Sequence, residues 1–440
     1  MRLLLGCKDS NCVKELVCNV GANTAVKGSD TDIYLGSSQL VGGSQNAIDR
    51  WVRVIDDDSK FVFARSNGTL QLCERKAVVN LESVEEDASK VPLFKWEVIM
   101  DFNESLFDQS VLDSLMAASN RRTKMPDAFV TLCWLKKGVL LAATKSGLVH
   151  IISVSSKNKI TKTCTHKVKA PLEFVQLYDN TTLKDKYVFA TGGEENLVKL
   201  FDLDKTYQKL NQIWEAKNVK NDRLDMKVPI WPMQLRFLDP EPVSSAENEG
   251  ELNFQFAVVT RWSHLGIYQT RHGRKPLRYI DLFPGREPLT SLEFVGETTA
   301  NKNLKSSNIK EFSFVTTDTK HGVWKFNAAG TLLGKYGKSD IVGAPTFISI
   351  CHDEGYLLQG GLDRYVRVFD VQSLRTLAKV YTPSKVNLIE LLDNKPVQTA
   401  EPVVDKQKTK QKRKRVIEET EEDVDKLWDT LESKAKKIKE

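Results

Sequence analysis

The sequence predicts an all-β chain folded as a seven-bladed β-propeller. Three observations carry that reading. Seven short segments repeat one pattern, a polar turn followed by alternating apolar residues: Ser10 to Val13, Asn67 to Leu72, Ser146 to Ile151, Glu195 to Leu200, His264 to Tyr268, His321 to Phe326 and Asp363 to Val368. Such a unit, returning every ~40 to 80 residues, fits one four-stranded blade per repeat. Around the clearest repeats, the same order of strands and turns returns: Leu172 to Leu177, Tyr187 to Ala190, a Gly-Gly turn and Leu197 to Asp202, then Thr346 to Ile350, Tyr356 to Gln359, a Gly-Gly turn and Tyr365 to Asp370. Finally, Leu3 to Cys7 reads as a middle strand with no inner strand before it, while Asn387 to Leu392 is a spare strand after the last repeat. The spare strand is expected to enter the first blade and close the ring, which removes an exposed edge.

Along the chain, the connections carry the remaining information. Gly21 to Gln45 is rich in Gly and Ser and reads as a mobile connection. Asp56-Asp57-Asp58 invites a cation site, but Ser59 and Lys60 follow and no further ligands come at fixed spacing, so a solvated turn is expected. Ser105 to Asn120 has apolar residues at helical steps, with Ser105 as the expected N-cap. Ser244 to Gly250 and Thr298 to Lys310 are polar loops without a visible task.

Lys217 to Trp231 is the connection most suggestive of function. It mixes Lys217, Lys220, Arg223 and Lys227 with apolar anchors, and ends in Pro-Ile-Trp. A loop this long between blades is often functional. Its basic part is expected at the surface, facing phosphate or an acidic partner, and its end is expected in the core.

Composition sets the class. The chain has 440 residues, 41% hydrophobic and 28% charged, ample for a large core. The net charge of +6 is too thin and spread out to argue for nucleic acid by itself. Seven cysteines without close pairing fit structural thiols in a reducing compartment. The opening Met1 to Lys8 is too short an apolar run for a signal peptide, and no run approaches a membrane helix. The reading is a soluble, intracellular chain, with residues 1–395 forming the propeller and residues 396–440 a flexible tail.

The tail holds two features. Lys406, Lys408, Lys410, Lys412, Arg413, Lys414 and Arg415 form a basic run, which reads as a nuclear-import signal or an RNA patch. After an acidic stretch, Val424, Leu427, Trp428 and Leu431 recur at three- and four-residue steps. That stripe predicts a short amphipathic helix over 423–438 that docks in a partner's groove.

Catalytic signatures are missing. There is no phosphate-binding Gly-rich loop with Lys-Ser/Thr, no His-Glu-x-x-His and no Gly-x-Ser-x-Gly, and the six histidines are scattered. No catalytic, cofactor or metal residues are expected, and neither a small-molecule substrate nor a membrane. A hydrolase assembled from several blades is the outlying alternative.

Lys217-Asn-Val-Lys-Asn-Asp-Arg-Leu-Asp-Met-Lys-Val-Pro-Ile-Trp231 resembles the signature of a nucleolar WD-repeat factor family of large (60S) ribosomal subunit assembly, named in animals WD-repeat-containing protein seventy-four. Ala190 to Asp202, Gly361 to Arg367 with Lys379-Val-Tyr381, and Leu427 to Glu432 resemble it too. Arg223 and Phe201 stand where that family often has Trp. The resemblance, which fits a fungal member, implies a non-enzymatic WD-repeat scaffold in the nucleus and nucleolus. It further implies docking on early pre-60S particles, with their proteins and pre-rRNA as partners, and removal by a nuclear AAA-type ATPase. Lys217, Asn218, Lys220, Asn221, Asp222, Arg223, Asp225, Lys227 and Trp231 are the expected partner or RNA contacts. The basic run would meet an import receptor. The competing class is a WD-repeat adaptor in another nuclear complex, such as a ubiquitin ligase or chromatin assembly.

Overall fold

The computed structural model describes residues 1–9, 12–26, 33–39, 46–77, 94–119, 124–178, 185–222, 224–238, 253–296 and 309–395. Their strands form seven four-stranded antiparallel sheets, so the chain is a seven-bladed β-propeller. The second blade is Ile48–Val54, Asp57–Arg65, Leu70–Ala77 and Phe94–Phe102. The third is Phe129–Lys136, Val139–Thr144, Leu148–Val154 and Ile160–Lys167. The fourth is Phe174–Leu177, Lys186–Gly193, Asn196–Asp204 and Leu210–Glu215. The fifth is Pro232–Leu238, Gln255–Thr260, His264–Gln269 and Arg278–Asp281. The sixth is Leu289–Val295, Ser313–Asp318, Val323–Asn327 and Leu332–Lys335, and the seventh Pro345–Cys351, Tyr356–Gly361, Tyr365–Asp370 and Thr376–Tyr381.

The first blade is built from both ends of the described chain. Arg2–Cys7, Cys12–Val17 and Tyr34–Gln39 take their inner strand from Val386–Asp393. That strand runs antiparallel to the first, placing Leu3 opposite Leu391, Leu5 opposite Ile389 and Gly6 opposite Leu388. At the outer rim, a further contact joins the first blade to the seventh. Gly21 N–H donates to Leu377 O at 2.7 Å, Lys379 N–H to Ala22 O at 2.8 Å and Thr24 N–H to Lys379 O at 3.0 Å. Residues 21–24 thereby lie along the outer strand of the seventh blade, with a parallel bridge between Asn23 and Lys379.

Each of the seven turn-and-strand units found in the sequence leads into the third strand of a different blade. The turn before that strand needs one left-handed residue in five blades: Gly68, Gly147, Glu195, Ser263 and Arg364 all have φ between 47° and 87°. At Gly147 glycine is required on two counts, because an added Cβ would also sit 2.5 Å from the Val168 carbonyl.

Strand alternation divides the apolar residues between two seams. In Arg2–Cys7, Leu3 and Leu5 pack against Val366 and Val368 of the seventh blade, whereas Leu4 packs toward Phe61, Phe63 and Trp96 of the second. This holds all round: each of the seven buried clusters joins two neighbouring blades. A blade therefore has no core of its own, and only the closed ring buries both faces of every sheet.

Side chains of the inner strands also reach across the seams. Arg50 donates to Val130 O at 3.2 Å, Thr131 to Val175 O at 2.6 Å, and Gln234 accepts from Leu292 N–H at 2.8 Å. Arg236 bonds Gln176 on one side and Glu293 on the other. Thr346 donates to Val386 O, and Asn387 to Ile48 O at 2.8 Å. The sixth and seventh blades are joined further out, where Lys325 and Tyr336 both donate to Val371 O, at 3.0 and 2.8 Å.

Two readings of the connections need correction. The Gly21 to Gln45 segment contains the outer strand Tyr34–Gln39. Its Gly- and Ser-rich sequence hid the strand, in which Leu35 alone packs against the cluster shared with the seventh blade among the residues whose side chains are described. The helix runs Gln109–Ala118, with Asp108 rather than Ser105 at its N-cap. Ser105 is used elsewhere: its hydroxyl donates to Asn67 O at 3.4 Å, and with Leu106 N–H donating to Gly68 O at 2.9 Å this stretch is tied to the second-blade turn before a helix can start. Leu112 is the buried residue of this helix.

The three aspartates Asp56, Asp57 and Asp58 are each met by the protein's own cations: Lys137 at 2.7 Å, Lys60 at 3.0 Å and Arg53 at 3.3 Å. Cys7, Cys18 and Cys73 are free and buried, with burial pushing the thiols up to about 11, 11 and 12.

Candidate docking surface

Antiparallel blades put their connections on two faces. The turns before third strands and the crossings to the next blade share one of them, and the Lys217 to Trp231 loop belongs to that face. It leaves the outer strand Leu210–Glu215 of the fourth blade and enters the inner strand Pro232–Leu238 of the fifth.

Both ends of the loop are fastened. At the rim, Lys217 N–H donates to Arg274 O at 2.7 Å, and Arg274 returns a bond to Glu215 O at 2.6 Å. At the inner end, Glu195 N–H donates to Ile230 O at 2.9 Å, with Ile230 buried as expected. Trp231 is half-buried, its indole N–H directed at Glu173 Oε1 at 3.4 Å and its ring covered by Arg261 at 4.8 Å.

Between these ends the polar residues hold the loop's own shape. Asn218 donates from its side chain to Val228 O at 2.8 Å, spanning the neck. Asn221 donates to the Asp225 carboxylate at 2.9 Å. Asp222 Oδ1 accepts from the N–H groups of Leu224 and Met226, both at 2.9 Å. Asp222 N–H also donates to Met226 O at 2.9 Å, and Asp225 sits in the left-handed region with φ 57°. Asx side chains that bond N–H groups ahead of them build turns by this means. Asn218, Asn221, Asp222 and Asp225 are therefore occupied in positioning.

The cations divide. Lys227 pairs with Glu195 at 3.1 Å, an exposed pair. Lys217 and Lys220 are exposed. Arg223 lies outside the described residues, as do the whole basic run Lys406 to Arg415 and the stripe Val424, Leu427, Trp428 and Leu431.

What the sequence reading missed is the tip. Leu224 and Met226, expected as anchors, are 80% and 62% exposed. Trp262, in the neighbouring third-strand turn of the fifth blade, is 37% exposed. The signal was present in the alternation of apolar residues with Asp222 and Asp225, but that pattern also suits a buried crossover. Among the described residues, no group of three or more His, Cys, Asp or Glu could hold a metal, and no helix is long and apolar enough to cross a membrane.

The fold is a seven-bladed β-propeller, and this loop presents a pre-shaped surface between two of its blades. Comparison with known proteins gives the family. The chain is 44% identical to ribosome biogenesis protein NSA1 of Saccharomyces cerevisiae, covering 99% of this chain and 97% of that one. It is 46% identical to NSA1 of Candida glabrata over 99% of both chains, and 46% identical to NSA1 of Vanderwaltozyma polyspora over 91% of both. The chain belongs to the ribosome biogenesis protein NSA1 family. No family model matches it. Among solved structures, the C-terminal WD40 domain of Sif2 aligns at a TM-score of 0.47, with 14% identity over 88% of this chain and 84% of its own.

Proposed function

We propose that this protein is a non-enzymatic scaffold in the assembly of the 60S ribosomal subunit, docking on early nucleolar pre-60S particles. The near full-length identity to NSA1 relatives carries the reading. The loop between the fourth and fifth blades supports it, because its polar residues hold a defined shape and leave Lys217 and Lys220 free for contact. The finer parts of the reading rest on the family resemblance. These are nucleolar residence, contacts with pre-60S proteins and pre-rRNA, entry by an import receptor and removal by an AAA-type ATPase.

Sucrose-gradient sedimentation tests it. The tagged chain is expected to travel with pre-60S particles. Changing Lys217, Lys220, Arg223 and Lys227 together to Ala is expected to shift it toward the free fractions while its melting temperature stays within a few degrees, since exposed cations contribute little to stability. A wild-type chain confined to free fractions would overturn the reading.

A further inference from the structure

We infer that the outer rim of the third blade is a binding surface for the phosphate backbone of RNA. This deepens the proposed scaffold reading by placing its RNA contact, and it rests on that reading for the setting, though not for the chemistry.

Charge is the first ground. The whole-chain value of +6 conceals an uneven distribution. Between positions 128 and 172, which bracket the third blade, there are eight lysines and no aspartate or glutamate. The seventh blade shows the contrast, since from Pro345 to Tyr381 four acids stand against four Lys or Arg. Three of the eight lysines find carboxylates beyond the blade: Lys137 at Asp56, Lys145 at Glu173 and Lys162 at Glu104. Among the described residues, Lys136, Lys157, Lys159, Lys167 and Lys169 have no carboxylate within ion-pair reach, and all five are exposed. Lys136 lies over the Tyr207 ring at 5.5 Å and Lys169 donates to Glu195 O at 2.9 Å, neither of which balances a charge.

Placement is the second ground. Lys157 and Lys159 sit in the turn that leads into the outer strand Ile160–Lys167, and Lys167 and Lys169 sit at its far end. A strand of this length runs about 25 Å, at roughly 3.3 Å per residue. The unbalanced cations are therefore spread along an edge that can meet several successive phosphates. Thr161 and Thr163 are exposed between them, and hydroxyls commonly donate to phosphate oxygens. Asp204 of the fourth blade acts on Cys164 and His166 beside this strand, but its carboxylate is held by the Thr206 hydroxyl and by the Lys209 N–H at 3.0 Å.

Other readings explain less. Lysines on an outer strand also block edge-to-edge pairing. The outer strands Leu210–Glu215 and Leu332–Lys335 manage with none and one, so protection does not call for a rim of this charge. An acidic protein would meet the same cations. Protein interfaces, however, are anchored by large apolar or aromatic side chains, and no such residue between 128 and 172 is exposed. Cations and hydroxyls without an apolar centre suit a phosphate backbone, bound without reading its bases.

The test measures binding of the purified full chain to a fluorescent single-stranded RNA of mixed sequence over a range of salt. Log affinity falls with log salt by about 0.7 for each phosphate neutralised on a single strand. Changing Lys157, Lys159, Lys167 and Lys169 together to Gln is expected to make the slope shallower by about 2 to 3. Melting should stay within a few degrees, because all four are exposed. The basic run Lys406 to Arg415 is present in both proteins, so the difference belongs to the blade. Ultraviolet crosslinking is expected to leave nucleotide on peptides within 155–169. No RNA binding, an unchanged slope, or nucleotide only on other peptides would overturn the surface. So would a four-lysine variant that loses binding to polyglutamate but keeps the RNA slope, which would mark a protein partner. The readout does not depend on sedimentation. A chain that binds RNA in this way yet stays in the free fractions would keep the surface and sink the ribosomal reading. A chain that travels with particles while its four-lysine variant keeps the slope would do the reverse.

Discussion

Asn387 donates its side-chain amide to the carbonyl of Ile48 at 2.8 Å, although 339 positions separate them. The bond crosses from the closing strand of the first blade to the inner strand of the second. Val386–Asp393 therefore does more than supply an edge for Arg2–Cys7. It also carries the seam on its other side, through Asn387 and through Leu388 packed against the Phe61, Phe63 and Trp96 cluster.

A chain ending before Val386 is expected to lose this strand and to expose the backbone of Leu3 to Cys7. Val386, Leu388 and Ile389 are all buried, and burial of each such side chain is worth about 1.5 to 3 kcal/mol. The truncated chain should melt well below the full chain and aggregate, while a chain ending just after Lys395 should melt like the full chain. Equal melting of the two truncations would show that the closing strand is dispensable.

Glu15 joins the first and second blades electrostatically. Its carboxylate accepts from Arg2 at 3.0 Å, from Arg75 at 2.6 and 2.9 Å, and from the Trp96 indole at 3.2 Å. Glu15→Gln keeps the size but takes the carboxylate's negative charge away from Arg2 and Arg75. A loss of about 3 kcal/mol is expected in urea unfolding. A variant within 0.5 kcal/mol of wild type, roughly the noise of a surface change, would argue against a structural role.

Two histidines should make the fold acid-sensitive. His150, bonded to Leu106 O and Thr165, and His264, stacked on Tyr279, are both held below the usual imidazole value because burial disfavours the charged ring. In the unfolded chain both take up protons near pH ~6.5. The unfolded state thus binds protons that the folded state refuses. The stability tied to the neutral rings is complete above that pH and is lost as the pH falls toward the folded values. Melting temperature should therefore drop between about pH 7 and pH 5, and His150→Gln should flatten the slope. A wild-type profile level over this range would contradict it.

The tail is expected to divide its labour. Removing 406–415 should weaken nuclear entry, read by microscopy. Trp428→Ala with Leu431→Ala should loosen particle binding, read by sedimentation, without moving the protein out of the nucleus. A Trp at the centre of an interface is a frequent hot spot. Identical phenotypes from the two variants would reject the division.

The ring was legible because its grammar is local. A polar turn and a period-two strand recur seven times, and the left-handed turn positions fall within those units or, for Ser263, directly before one. The seams were not legible. Nothing adjacent to Arg50, Thr131 or Asn387 announces that its side chain will bond a carbonyl of the next blade. The outer strand Tyr34–Gln39 was hidden for a related reason, since after Tyr34 and Leu35 its sequence Gly-Ser-Ser-Gln carries no apolar alternation. At the candidate site, the cations and the buried Ile230 could be read from sequence. The outward pose of Leu224 and Met226 could not, because it depends on which N–H groups Asp222 reaches.

The Met1 amino group donates to Lys395 O at 3.1 Å. With residues 396–440 removed, a short peptide linking these positions would make the polypeptide circular without disturbing a blade. New ends could then be cut in the exposed Ser155 to Lys159 turn of the third blade. In such a permutant the pairing of Val386–Asp393 with Arg2–Cys7 becomes a hairpin between sequence neighbours instead of a meeting of distant segments. The cut in turn makes Leu148–Val154 and Ile160–Lys167 the distant segments that must meet, so the native contacts are kept while the costly long-range closure moves from the first blade to the third.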